Sequence, residues 1–150
     1  MTQDAADFPP VDLPPTDQSL PIALLRARER LMIPIREALQ VTGLTEQQWR
    51  LLRVLEEFGP QDATKLAKRA SLLMPSQTRI VQNLSEKGYV TRRTNPEDRR
   101  RQVVSITAAG HQVLVKNAPK AREISDEVAA ALGEEKVKML VSILDDIIHM

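Results

Sequence analysis

Apolar positions recur along this chain at two periods, and the change from one to the other divides it into helical and strand-forming segments. From Ser19 onward, Leu20, Leu24, Ala27, Leu31, Ile35 and Ala38 fall three or four residues apart, the spacing of one helix face. The spacing predicts a long first helix ending near Gly43, kinked at Pro34, whose ring removes one backbone donor. Thr45 stands three residues before Gln48 in a capping-box arrangement, and Trp49, Leu52, Leu55 and Phe58 form the buried stripe of a second helix stopped by Gly59 and Pro60. Asp62 is the N-cap expected for a third helix, with Leu66, Ala67 and Ala70 facing inward. A tight link over residues 71–74 leads to a fourth helix that starts near Pro75, whose fixed φ suits a first helical position, and stops at Gly88.

Beyond Gly88 the period shortens to two. Residues 89–94 and 102–107 are rich in β-branched side chains and alternate in polarity, and the charged stretch 95–101 between them reads as a hairpin loop. Helical spacing returns after Thr107 and runs towards Leu132, with Pro119 as a second kink, and a last helix follows Gly133 with Glu134 and Glu135 in its first turn. In that helix Val137, Leu140, Val141, Leu144, Ile147 and Ile148 make a broad apolar face. Residues 1–18 carry Pro9, Pro10, Pro14 and Pro15 among acids and small residues, with too little periodic apolar surface to offset the entropy of ordering, so a disordered acidic tail is expected there.

Composition narrows the picture. The chain has 150 residues, 42% of them hydrophobic but only 3% aromatic, which suits one compact domain over residues 19–150 with an aliphatic helix-on-helix core. There is no cysteine, which excludes disulfides, thiolate zinc sites and cysteine nucleophiles. No apolar run approaches the roughly 20 residues that span a bilayer, and the N-terminus lacks a signal-peptide pattern, so a cytoplasmic location is expected. The formal charge of +1 conceals an asymmetry: residues 62–101 hold ten basic and four acidic side chains, whereas residues 1–18 hold four aspartates and no lysine or arginine. A basic centre in a near-neutral protein is the footprint expected of a surface that meets phosphate.

Two short helices joined by a tight turn, then a glycine and a basic hairpin, follow the order of a winged helix-turn-helix. The fold expected is mainly α with a small β-hairpin: a winged helix-turn-helix lobe over about 44–107, flanked by dimerisation helices over about 19–43 and 108–150. On the fourth helix Ser76, Gln77, Thr78, Arg79, Gln82 and Asn83 can hydrogen-bond base edges or phosphates of double-stranded DNA. At the hairpin tip Arg99, Arg100 and Arg101 suit the negative potential of a minor groove, with Asp98 paired to Arg100 to stiffen the loop while Arg99 points outward. Two such modules related by a two-fold axis read a palindromic operator with added affinity, so a homodimer is expected, with Leu140, Leu144, Ile147 and Ile148 as its interface and helix one crossing the partner's terminal helices. Burial of that face within the monomer is the alternative.

The segments LTEQQWRLLRVL, PSQTRIVQNLSEKGYVTRR and DRRRQVVSITAAG resemble the MarR family of bacterial regulators over about residues 19–150, most specifically through Asp98, Arg100, Thr107 and Gly110. SLPIALLRARE together with LTEQQWR is similar to the regulators of homoprotocatechuate degradation operons. The resemblance implies a dimeric repressor of an aromatic-catabolism operon, released when a hydroxyphenylacetate-like acid binds between the dimerisation helices and the DNA-binding lobe. Arg28 and Arg50 are suitable carboxylate partners for such an effector, and Trp49 can stack on an aromatic ring, with Ser19 and Arg26 as second choices near the same helix start. Plain core packing for Trp49 and surface ion pairs for the arginines are the alternatives. Nothing in the sequence calls for a cofactor or a metal. With only His111 and His149 and no Gly-rich phosphate loop, an enzyme is not expected. A winged helix that contacts protein without reading DNA is the remaining rival.

Overall fold

A computed structural model describes residues 8–150. The chain forms two compact units whose boundary falls between Met32 and Ile33, inside a helix expected from its spacing to belong wholly to one domain. Of the expected acidic tail, residues 1–7 lie outside the described part. Residues 8–19 contain no helix or strand, only a turn at 16–18, and expose Phe8, Val11 and Leu13. Helix α1 (Leu20–Thr42) starts in this first unit and continues through Pro34.

The second unit holds the end of α1, then α2 (Glu46–Phe58), β1 (Gln61–Asp62), α3 (Ala63–Ala70), α4 (Met74–Glu86), β2 (Val90–Thr94), β3 (Gln102–Ile106), α5 (Ala108–Leu132) and α6 (Glu134–Ile148). Helix α2 begins where the sequence places it: the Thr45 hydroxyl accepts from Gln48 N, and the Gln48 side chain accepts in turn from Thr45 N, so both orphan donors are satisfied. The hairpin gains a third strand, in the order β1-β3-β2, all antiparallel. Strand β1 is two residues long, too short for any alternation to reveal, and it pairs Gln61 with Val104 and Asp62 with Val103. Val90 opposite Ile106 and Arg92 opposite Val104 set the register of the wing strands.

The core is built where the helical stripes converge. Leu39, Leu51, Leu52, Leu55, Leu66, Leu84, Val90 and Val104 are almost wholly buried, and Trp49, Val81, Val113 and Leu114 complete the cluster. Burying each such aliphatic contributes about 1.5–3 kcal/mol, which ties α2, α3, α4, the sheet and the first turns of α5 into one lobe. Two polar bonds fix the end of α1 beside it: Asn117 Nδ2 donates to Thr42 Oγ1 at 2.8 Å, and Arg36 Nε lies 3.3 Å from Glu46 Oε2. Helix α6 differs sharply, since none of its residues is buried. Among the described residues no helix is long and apolar enough to cross a membrane.

Candidate nucleic-acid interface

The two helices of the helix-turn-helix are set by their connections. Asp62 Oδ1 accepts from Thr64 N at 3.0 Å and Lys65 N at 3.1 Å, capping α3. Ser71 takes a left-handed conformation (φ 52°) at the end of α3, and Leu72 N returns to Ala67 O, so the chain reverses in three residues into α4. Pro75 lies in the first turn of α4, where its missing N–H costs nothing.

Of the six α4 residues expected to face DNA, Gln77 does not. Its position one turn before Val81 and two before Leu84 puts it on the buried stripe, where it is 2% exposed and its Nε2 donates to Ala63 O at 2.8 Å. Gln77 therefore pins α4 to the start of α3 instead of reaching a base. The other five are exposed, in different states of engagement. Thr78 Oγ1 donates back to Met74 O. Gln82 has both amide atoms in use, accepting from Arg92 Nη2 at 2.6 Å and donating to Glu86 Oε1 at 2.8 Å. Asn83 Oδ1 accepts from Gln48 Nε2 at 2.7 Å, locking α4 against α2. Ser76 and Arg79 have side chains without a partner among the described residues, and so carry free hydrogen-bonding capacity.

The wing tip is a folded turn. Asn95 N donates to Arg101 O, Asn95 Oδ1 accepts from Glu97 N, and Asp98 Oδ1 accepts from Arg100 N, all within 3.0 Å. The side-chain partner of Asp98 is Arg101, with Nε 3.6 Å from Oδ2, and not Arg100 as the loop pattern led one to expect. Arg101 also places Nη1 3.4 Å from Asp62 Oδ2, so it spans from the wing to the N-cap of α3. An exposed pair of this kind contributes about 0–1 kcal/mol, so its effect is to hold the wing in place more than to stabilise the fold. Arg101 is thereby a wing-holding residue, while the side chains of Arg99 and Arg100 are exposed and unpartnered among the described residues.

The base of the wing explains the Thr107 and Gly110 pattern. Thr107 Oγ1 donates to Gly88 O at 2.6 Å and accepts from Gly110 N at 3.1 Å, which both closes the hairpin and caps α5. At Gly110 a Cβ would collide with the Tyr89 carbonyl oxygen and stand 2.8 Å from Ile106 Cγ1, so only glycine fits. His111, next along α5, has Nδ1 2.9 Å from Glu56 Oε1 on α2.

Two clefts flank α2. The larger, about 860 Å³, lies between α2 and α5 and is walled by Trp49, Leu114, Val115, Ala118 and Pro119, with Arg53, Arg122, Glu56, Glu57 and His111 as its charged and titratable groups. The smaller, about 520 Å³, is lined from α2 by Arg50 and from α4 by Ser76, Arg79 and Asn83. Trp49 and Arg50, paired in the sequence-derived effector set, thus open onto different clefts, because neighbours on a helix point about 100° apart. Trp49 is 7% exposed, both core residue and cleft wall. Arg53, four residues on and therefore on the same face as Trp49, is the cleft arginine that the sequence reading misses, although its spacing is visible in the sequence. Ser19 precedes α1, and Arg26 and Arg28 are exposed on it, with Arg28 Nη1 3.3 Å from Glu29 Oε1. On α6, Leu140 and Ile148 are exposed and Leu144 and Ile147 half-buried. No cluster of three metal-ligating side chains occurs among the described residues.

An α3 anchored in the core by Leu66, Ala67 and Ala70, an α4 with an exposed polar face and an arginine-tipped hairpin fastened beside them define a winged-helix DNA-binding protein. Residues 44–101 match the model of the MarR family. The chain is 35% identical over 132 residues to the homoprotocatechuate degradative operon repressor of Escherichia coli, covering 88% of this chain and 89% of the relative. Its fold is similar to that of NadR in complex with 4-hydroxyphenylacetate (TM-score 0.80, 34% identity, 93% of this chain and 97% of the other). It is also similar to the transcriptional repressor CouR bound to a 23-mer DNA duplex (TM-score 0.78, 25% identity, 87% and 93%). The chain belongs to the MarR family and is a DNA-binding transcriptional regulator, not an enzyme.

Proposed function

We propose that this chain is a homodimeric cytoplasmic repressor that reads a palindromic duplex through α4 and the wing and releases it when a small aromatic acid occupies the cleft between α2 and α5. The observation that carries the DNA half is the coincidence, on one lobe, of exposed Ser76 and Arg79 on α4 with exposed Arg99 and Arg100 at the wing tip, none of them with a side-chain partner among the described residues. Thr78, Gln82 and Asn83 complete the α4 surface, and a single module with so few contacts needs a second copy for useful affinity. The exposed aliphatics of α6, including Leu140 and Ile148, are the surface offered to that copy.

The effector half rests on the cleft's chemistry. An indole wall, aliphatic sides and the Arg53 guanidinium, which has no partner among the described residues, suit a flat ring bearing a carboxylate. Of the two acids that also line the cleft, Glu56 is engaged by His111 at 2.9 Å and Glu57 is left to repel the anion. The volume of about 860 Å³ lies within the usual range for small-molecule sites. The solved relative carrying 4-hydroxyphenylacetate and the relative named for homoprotocatechuate degradation point to the same ligand class. Such a ligand regulates only by binding the DNA-released state more tightly than the DNA-bound one.

Mobility shifts with duplexes from the chain's own promoter region, titrated against salt, test the first half. A steep loss of affinity with salt is expected, and no binding to any such duplex would sink the reading. Calorimetry with 4-hydroxyphenylacetate and related aromatic acids tests the second: the acid that binds should also release the duplex. An acid that binds without effect on DNA would overturn the repressor mechanism.

A further inference from the structure

Arg50 faces the smaller cleft, away from the cleft proposed for the effector. That cleft is framed by the start of α2 (Thr45, Arg50), the α3–α4 turn (Ser71) and α4 (Ser76, Arg79), and no carboxylate lines it. Arg50 Nε is packed away from solvent with no hydrogen-bond partner, and no acceptor among the described residues pins the guanidinium. A charged donor left in that state is unfavourable, so the site favours any occupant that brings an acceptor. The Gln48–Asn83 bond, 2.7 Å long, holds α2 against α4 directly beside the cleft and fixes the relation of Arg50's helix to Arg79's.

The chemistry of the occupant follows from the donors. Two guanidinium forks and the hydroxyls of Ser71 and Ser76 suit a tetrahedral oxyanion that accepts on several sides. Ser76 and Arg79 belong to the exposed face of α4, so the oxyanion expected beside them is a phosphate of the nucleic-acid backbone. We infer that this cleft is a phosphate clasp, in which Arg50 of α2 and Ser76 and Arg79 of α4 grip one backbone phosphate of the bound duplex. The inference rests on the reading that α4 faces DNA. It makes α2 a third DNA-contacting element and sets the depth at which α4 enters the groove.

The test is the salt dependence of binding by the full-length protein to a promoter duplex and to an unrelated duplex. Arg50→Gln should weaken both by about tenfold and lower the salt slope by about one, because one phosphate contact is lost irrespective of sequence. Arg50→Lys should restore the slope, and neither variant should alter the affinity for an aromatic acid measured by calorimetry. An unchanged slope in Arg50→Gln alongside a lowered slope in Arg79→Gln overturns the clasp while leaving α4 on DNA. Unchanged slopes in both variants overturn the reading of α4 itself. If Arg50→Gln abolishes binding of inorganic phosphate but leaves the duplex salt slope intact, the cleft is a small-anion site and the clasp is wrong. Loss of acid binding in Arg50→Gln would return Arg50 to the effector site and equally overturn it.

Discussion

The helix-turn-helix lobe and helix α6 are both rich in aliphatic residues and have opposite fates. Leu51, Leu52, Leu66 and Leu84 are at most 1% exposed, whereas Val141 and Ile148 on α6 are 60% and 75% exposed. The lobe completes its core within one chain. Helix α6 leaves a stripe of apolar surface that the protomer does not cover, with Met139, Leu140, Val141, Ile143 and Ile148 all exposed, and contiguous patches of this kind mark interaction sites. The contrast teaches that the lobe's stability does not depend on α6, so if α6 is the assembly surface, as proposed, each can be perturbed without the other.

The double substitution Leu140→Ser with Ile148→Ser should weaken self-association by about 3–6 kcal/mol, measured by sedimentation, while leaving the far-ultraviolet spectrum of the lobe unchanged. A dimer unaffected by both changes would place the interface elsewhere. Leu66→Ala should act in the converse way, lowering unfolding free energy by about 2–5 kcal/mol in urea melts at a concentration where the dimer persists. A smaller loss would mean that the lobe repacks around the gap. Arg53→Gln should weaken aromatic-acid binding by about 1.5–3 kcal/mol with no change in the salt slope of DNA binding. An Arg53 variant with full acid affinity would move the effector out of the larger cleft. Arg101→Ala should cost under about 1 kcal/mol in stability, yet weaken DNA binding through a wing that is no longer held. Equal melting points with equal DNA affinity would show that the wing needs no such tether.

Much of this architecture is readable from local pattern. The order of helices, the Thr45 capping box, the Asp62 N-cap and the two-stranded wing all depend on residues within a few positions of each other. What escapes is decided across larger separations. Strand β1 forms only because β3 offers it an edge, and the pairing of Arg101 with Asp62 joins positions 39 apart. Gln77 shows two local signals in conflict: its residue type suits a groove-facing surface, but its spacing from Val81 and Leu84 assigns it to the interior. Spacing prevails because Ala63 O is there to receive Nε2, although Oε1 is left buried without a partner among the described residues. Trp49 and Arg50 fail as a pair for the same geometric reason, and Arg53 is the residue that period would have selected.

Asp62 divides its two carboxylate oxygens between neighbours with different tasks, Oδ1 to the first turn of α3 and Oδ2 to the wing arginine. Together with the contact of Gln82 to Arg92, this couples the hairpin to both helices of the helix-turn-helix, through Asp62 to α3 and through Gln82 to α4. In the proposed dimer such coupling carries each lobe as a piece, and the distance between twin lobes then becomes the quantity that an effector would change and an operator would measure.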